Sequence, residues 1–212
     1  MSAHCCHNDH GHGHALDANG AIPRGLRRAL WIALVVNALM FMVEIGAGVA
    51  SGSVSLLADA IDFFADAGNY GVTLAVLSLG AAWRSGAAIG KAVTMLLFAA
   101  LVLGRAVWAA LAGVPPEPMT MGVIGALALA ANVGVALLLY AFRDGDANMR
   151  SVWLCTRNDA IGNVAVLLAA VGVFGTGTAW PDLIVAAVMA SLAASAAWTV
   201  LRLARRELAW DA

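Results

Sequence analysis

Six long runs of apolar residues, separated by short polar or turn-forming segments, make up most of the chain. Each run has 21 residues or more, and a helix of about 20 residues crosses the ~30 Å hydrocarbon core of a bilayer. Glycine, serine and proline mark several of the breaks. The pattern predicts an all-α membrane protein with six transmembrane helices. The runs cover residues 29–50, 54–79, 87–111, 119–142, 151–174 and 183–203.

Basic residues lie at only one end of each predicted helix. The first, third and fifth breaks contain no Lys or Arg, whereas the second and fourth breaks and both ends of the helical region do. Because Lys and Arg are retained on the cytoplasmic side of short loops, both termini are predicted to be cytoplasmic. The residues concerned are Arg24, Arg27, Arg28, Arg84, Lys91, Arg143, Arg150, Arg202, Arg205 and Arg206.

Composition supports the membrane interpretation and excludes several function classes. Of the 212 residues, 62% are apolar and 12% are charged, against about 45–50% and about 25% in soluble domains. The net charge of −1 provides no basic field for a nucleic acid. We find neither a nucleophile–base arrangement nor a phosphate-binding loop, so we expect no enzyme and no prosthetic group.

The first 22 residues differ from the rest of the chain. All five histidines lie within the first fourteen residues, beside two of the three cysteines. Neutral imidazoles and thiolates bind Zn²⁺-type ions, so we expect a disordered cytoplasmic metal-binding tail over residues 1–22, ahead of a transport domain over residues 23–212. The alternative is a solvated tail with no role in transport. The candidate ligands are His4, Cys5, Cys6, His7, His10, His12 and His14.

Several ionisable residues lie inside the predicted spans. Each costs about 2.5–3.5 kcal/mol near the bilayer centre, so such residues usually line a pathway, bind an ion or pair with each other. Glu44 and Arg105 have the same predicted depth, which suggests a structural ion pair or, alternatively, part of a proton or ion path. The full set is Glu44, Asp59, Asp62, Asp66, Arg105, Arg157 and Asp159.

The second predicted helix carries its polar residues in one stripe. Asp59, Asp62, Asp66, Asn69 and Thr73 follow one another at helical spacing. The carboxylates of Asp62 and Asp66, one turn apart, can converge on one cation. The alternative is that these acids only hydrogen-bond to neighbouring helices.

The fifth predicted helix carries a shorter stripe of Cys155, Asp159 and Asn163. Because the two helices run in opposite directions, Asp62 and Asp66 are expected at the depth of Asp159 and Cys155. Three oxygen ligands and one sulfur ligand suit tetrahedral Zn²⁺ better than Mg²⁺ or Ca²⁺. The alternative for Cys155 is a buried apolar filler.

Short motifs in five of the predicted helices form a larger pattern. They are Asn37 and Glu44, residues 53–66, Asn132, residues 155–159 and residues 180–185. Together they resemble the cation diffusion facilitators, and the resemblance covers roughly residues 26–208.

This resemblance implies export of divalent transition metals from the cytoplasm in exchange for protons. The family's transport site falls on Asp62, Asp66, Cys155 and Asp159, with cysteine where histidine is usual. The sequence ends within nine residues of the sixth run, so we expect a short form without the family's cytoplasmic C-terminal domain. A homodimer would then form through the membrane helices.

The leading interpretation is therefore proton-coupled efflux of divalent cations across a membrane, the bacterial inner membrane by expectation. Zn²⁺ is the expected cargo, with Cd²⁺ or Co²⁺ as other candidates. Two alternatives remain. One is a metal-binding or metal-sensing membrane component that uses the His/Cys tail without transport. The other is a helical structural protein whose polar stripes only hold its helices together.

Overall fold

The computed structural model describes residues 24–75, 81–142 and 147–210, with the side chains of 81–88, 91, 147–157 and 203–210 left undescribed. Every element within these ranges is an α-helix. The helices are α1 (Arg24–Ser51), α2 (Val54–Ala75), α3 (Ala81–Ala112), α4 (Pro118–Tyr140), α5 (Ala147–Thr176) and α6 (Trp180–Trp210). The predicted all-helical class is confirmed, and each helix overlaps one of the six apolar runs.

Within the described ranges, five helical segments are long and apolar enough to cross a membrane. They are Arg24–Ser51, Ala92–Ala112, Pro118–Tyr140, Asn158–Thr176 and Trp180–Arg202. Their outward faces carry large apolar side chains such as Leu111 and Phe174, which are 83% and 78% exposed. Helix α2 is not among them, and it carries three aspartates within eight residues.

Helix α2 lies in the interior of the bundle. It packs against α1, α3, α5 and α6, while α3 pairs with α6 and α4 pairs with α5. No residue of α2 is exposed. The helix with the most acidic residues is thus shielded by its neighbours, as expected for ionisable residues inside a membrane protein.

Two glycines allow α1 and α2 to pack closely as an antiparallel pair. Gly52, in the turn between them, has φ +73°, a left-handed conformation that other residues adopt only with strain. A Cβ at Gly48 would lie 2.8 Å from the Leu57 side chain, so α1 approaches α2 closely at this point. The three-residue break therefore forms the tight turn that its composition predicts.

A buried carboxylate joins the start of α2 to the start of α6. The two carboxylate oxygens of Asp182 accept hydrogen bonds from the Ser53 hydroxyl at 2.7 Å and from the amides of Val54 and Ser55 at 2.8 and 3.0 Å. We call these four residues the Asp182 junction. Nearby, the Glu117 amide donates to the Ser51 carbonyl at 2.9 Å. The ends of α1, α2, α4 and α6 thus meet at one end of the bundle.

Candidate functional site

The structure places three of the four predicted transport ligands. Asp62 and Asp159 are half-buried, and Asp66 is buried. The Tyr70 hydroxyl, one turn along α2, donates to the Asp66 carboxylate at 3.2 Å. The side chain of Cys155 and the whole His/Cys tail lie outside the described residues. Within the described part of the chain, no three acidic, histidine or cysteine side chains lie close enough together to hold a metal ion.

A direct contact sets the register between α2 and α5. The side-chain amide of Asn163 donates to the Asp59 carboxylate at 2.6 Å, and both residues are fully buried. From this contact, three residues along α2 lead to Asp62 and four residues back along α5 lead to Asp159. Each step covers about one helical turn, so Asp62 and Asp159 have similar depths, as the antiparallel arrangement predicts.

The contact extends to a third helix through Asn132. Its amide donates to the Asn163 carbonyl oxygen at 2.9 Å. We call Asp59, Asn163 and Asn132 the amide bridge, which links α2, α5 and α4. Sequence reasoning assigned Asp59 and Asn163 to polar stripes but did not connect them to Asn132. The available signal was a lone asparagine among apolar residues in the fourth run.

The predicted ion pair between Glu44 and Arg105 is wrong. Glu44 is fully buried, and its ionisable neighbours are the acidic residues Asp59 and Asp62, not Arg105. The guanidinium of Arg105 instead lies over the Trp108 ring, 4.4 Å from its centroid. The two residues lie on different faces: Glu44 is in the bundle interior, whereas Arg105 lies beside the exposed Trp108.

Burial changes along α2 at the position of the aspartates. Over residues 54–61 every residue except Leu57 is buried. Over residues 67–75 every residue except Tyr70 is half-buried. Asp62 and Asp66 lie between these two segments. The half of α2 next to the Asp182 junction is thus more completely buried than its other described half.

Ionisable oxygens near the middle of an apolar helical bundle can bind a cation, because the surroundings supply no bulk water to solvate them. Asp62, Asp66 and Asp159 are such groups, and the amide bridge lies one turn away. Among the described residues these carboxylates are not gathered closely enough to hold an ion, and the side chain of position 155 is undescribed.

Comparison with known proteins identifies the family. Residues 30–209 match the cation efflux transmembrane domain family. The chain is 25% identical to the metal cation efflux system protein CzcD of Cupriavidus metallidurans, an alignment that covers 91% of this chain and 63% of that protein. It is also 25% identical to the zinc transporter ZitB of Pectobacterium atrosepticum, over 94% of this chain and 64% of that protein.

The chain therefore spans slightly less than two thirds of the length of these curated relatives. The family match covers most of the chain, including five helical segments long and apolar enough to cross a bilayer. The chain is an integral membrane protein and belongs to the cation efflux transmembrane domain family.

Proposed function

We propose that this protein exports divalent transition-metal cations, Zn²⁺ foremost, from the cytoplasm in exchange for protons. The observation that carries the proposal is the contact between Asp59 and Asn163, whose register gives Asp62 and Asp159 similar depths on facing helices. Membership in the cation efflux transmembrane domain family supports this proposal. Two relatives support the cargo class, since one is named a metal cation efflux protein and the other a zinc transporter.

The proposed ligands are the carboxylates of Asp62, Asp66 and Asp159 and the thiolate of Cys155. Four such ligands match the tetrahedral preference of Zn²⁺, and the sulfur favours softer cations over Mg²⁺. Carboxylates and thiolates must be deprotonated to bind a metal ion. Metal binding therefore releases protons, and proton binding on the other side of the membrane releases the metal.

The same proposal includes six membrane spans with both termini in the cytoplasm. Helix α2 is the sixth span, and its aspartates are tolerated because the other helices enclose it. In this orientation the Asp182 junction lies on the outer side and the less buried half of α2 faces the cytoplasm.

The tail and the assembly complete the proposal. Residues 1–22 collect metal near the cytoplasmic opening, so their deletion changes the apparent metal affinity more than the maximal rate. Complete loss of flux in a correctly inserted deletion variant would refute this role. A homodimer would form between membrane helices, and the bacterial organisms of the relatives favour the bacterial inner membrane.

The proposal is tested by metal flux in proteoliposomes with Asp62→Ala, Asp66→Ala and Asp159→Ala. Loss of one carboxylate leaves the ion short of ligands where little water can replace them, so each variant should fall close to the flux of empty vesicles. Glu117→Gln, at an exposed acid outside the bundle interior, is the matched control and should transport normally. Normal flux in all three aspartate variants would exclude this site.

Cys155 requires its own variants because the side chain is not described. If its thiolate binds the cargo, Cys155→Ser should weaken Cd²⁺ transport more than Zn²⁺ transport, since Cd²⁺ is the softer ion. Cys155→His should keep Zn²⁺ flux, because imidazole is a good zinc ligand. Wild-type transport of both metals by Cys155→Ala would remove this residue from the site.

A further inference from the structure

Asn163 makes two side-chain hydrogen bonds at a fully buried position. Asp59 on α2 accepts from its amide nitrogen at 2.6 Å, and Asn132 on α4 donates to its oxygen at 2.9 Å. An ionised Asp59 carboxylate can accept hydrogen bonds but cannot donate them. The side-chain nitrogen of Asn163 must therefore face α2, and its side-chain oxygen faces α4. The orientation of Asn163 is thereby fixed by its two partners.

The link between Asn163 and Asp59 is short and involves an acidic side chain. Hydrogen bonds to ionised groups are about twice as strong as those between neutral groups, and a surrounding of low dielectric strengthens them further. The hydrophobic effect distinguishes poorly between registers of apolar helices in a membrane, because lipid and protein surfaces are equally apolar. A directional polar contact can therefore define the register of α2 against α5.

We propose that Asn163 is a positioning residue for transport: it fixes the register of α2 against α5 and so keeps Asp62 and Asp159 at similar depths on facing helices. The inference rests on the proposed function. In this inference the contact between Asn163 and Asp59 fixes the register of α2 against α5, and Asn132 anchors Asn163 to α4. None of these three residues needs to touch the metal.

The test exchanges the acid and the amide across the contact. Asn163→Asp alone sets two carboxylates against each other, which should raise the apparent KM for Zn²⁺ in proteoliposomes about tenfold or more, the size expected when a hydrogen bond to a charged group is lost. Adding Asp59→Asn restores one acid and one amide. Because a carboxylate at position 163 accepts from both neighbouring amides, the double variant should return to within about threefold of the wild-type KM.

Asn37→Asp is the matched control for a new buried acid. Asn37 is also fully buried, but its amide donates only to the Ala33 carbonyl in its own helix, at 2.8 Å. Adding Asp59→Asn should therefore not rescue Asn37→Asp. Melting temperatures in detergent give a readout that does not need transport: the exchange variant should recover the melting temperature that Asn163→Asp loses.

The outcomes separate this inference from the proposed function. A wild-type KM in Asn163→Asp, or a double variant no better than the single one, would overturn the positioning role while leaving metal export intact. A fall in maximal rate at unchanged KM would also overturn it, since that is the result of less folded protein. If wild-type vesicles take up no metal, the proposed function fails and the positioning role fails with it.

Discussion

The two halves of α2 use their acidic contacts differently. At the first half, over residues 54–61, Asp182 from α6 is 1% exposed and accepts three hydrogen bonds. At the start of the second half, Asp62 is half-buried, and the residues beyond Asp66 are mostly half-buried as well. The carboxylate of Asp182 is enclosed by hydrogen-bond donors, whereas those of Asp62 and Asp66 lie where the burial of α2 decreases.

The position along the helix explains this difference. The first four amides of a helix have no partner within it, so a carboxylate placed at the N-terminus finds donors at once and also meets the positive end of the helix dipole. In the middle of a helix every amide is already bonded. Asp62 and Asp66 must therefore find partners in side chains, such as Tyr70 for Asp66, or in protons and cations. The arrangement at Asp182 favours a stable fold, whereas the arrangement at Asp62 and Asp66 favours the exchange of protons and cations.

The largest expected effect on stability comes from breaking the Asp182 junction. Asp182→Ala leaves the Val54 and Ser55 amides and the Ser53 hydroxyl without their acceptor, which should lower the free energy of unfolding in detergent by about 3 kcal/mol or more. Asp62→Ala should change it by less than about 1 kcal/mol, because a half-buried group loses less. Chemical denaturation of both variants measures the difference.

Asp182→Asn provides the control for this comparison. It keeps an acceptor oxygen for one or two of the three donors but removes the charge, so it should fall between Asp182→Ala and wild type. Equal losses of stability in Asp182→Ala and Asp62→Ala would contradict the distinction between the two halves of α2.

Much of this organisation could be predicted from local sequence. The helices follow from the length of the apolar runs, and the stripes that hold Asp59 and Asn163 follow from helical spacing. The Asp182 junction could not be predicted in this way, because Asp182 and Val54 are 128 residues apart. Its formation depends on the packing of α2 against α6.

The incorrect pairing of Glu44 with Arg105 has a related cause. Depth can be read from the distance to a helix end, but the direction of a side chain depends on which helices are neighbours. In a soluble helix the apolar face reveals this direction, whereas helices in lipid are apolar on both their lipid-facing and protein-facing sides. Sequence alone therefore predicted a shared depth and not the different faces.

The next largest effect is expected at the turn before α2. Gly52→Ala forces a residue with a Cβ into φ +73°, which should cost about 1–2 kcal/mol of unfolding free energy. Gly46→Ala is the control, since a Cβ there meets nothing within 4 Å, and alanine in a helix is favoured by about 0.5–1 kcal/mol. A loss of stability in Gly46→Ala equal to that in Gly52→Ala would show that backbone strain is not the cause.

The smallest effect is expected at Glu117, at the same end of the bundle but fully exposed. Hydrogen bonds from the Thr120 hydroxyl and from the amides of Thr120 and Met119 lower the pKa of its carboxyl group. A lowered pKa in the folded state means that this cap stabilises the protein above the ordinary glutamate pKa of about 4.3 and that the stabilisation is lost as pH falls through the folded value.

Melting curves of wild type and Glu117→Ala over a range of pH test this expectation. The difference in melting temperature should be constant near neutral pH and should shrink in acid. A difference that grows as the pH falls would contradict the assigned hydrogen bonds.

The most direct test of metal export is Zn²⁺ uptake into proteoliposomes that contain the wild-type chain, with and without an imposed pH gradient. If metal and protons compete for the carboxylates of Asp62, Asp66 and Asp159, a gradient directed against the metal flux should accelerate uptake, and Mg²⁺ should not be carried. A rate of Zn²⁺ uptake no higher than in protein-free vesicles, or one that does not depend on the pH gradient, would contradict proton-coupled export through this site.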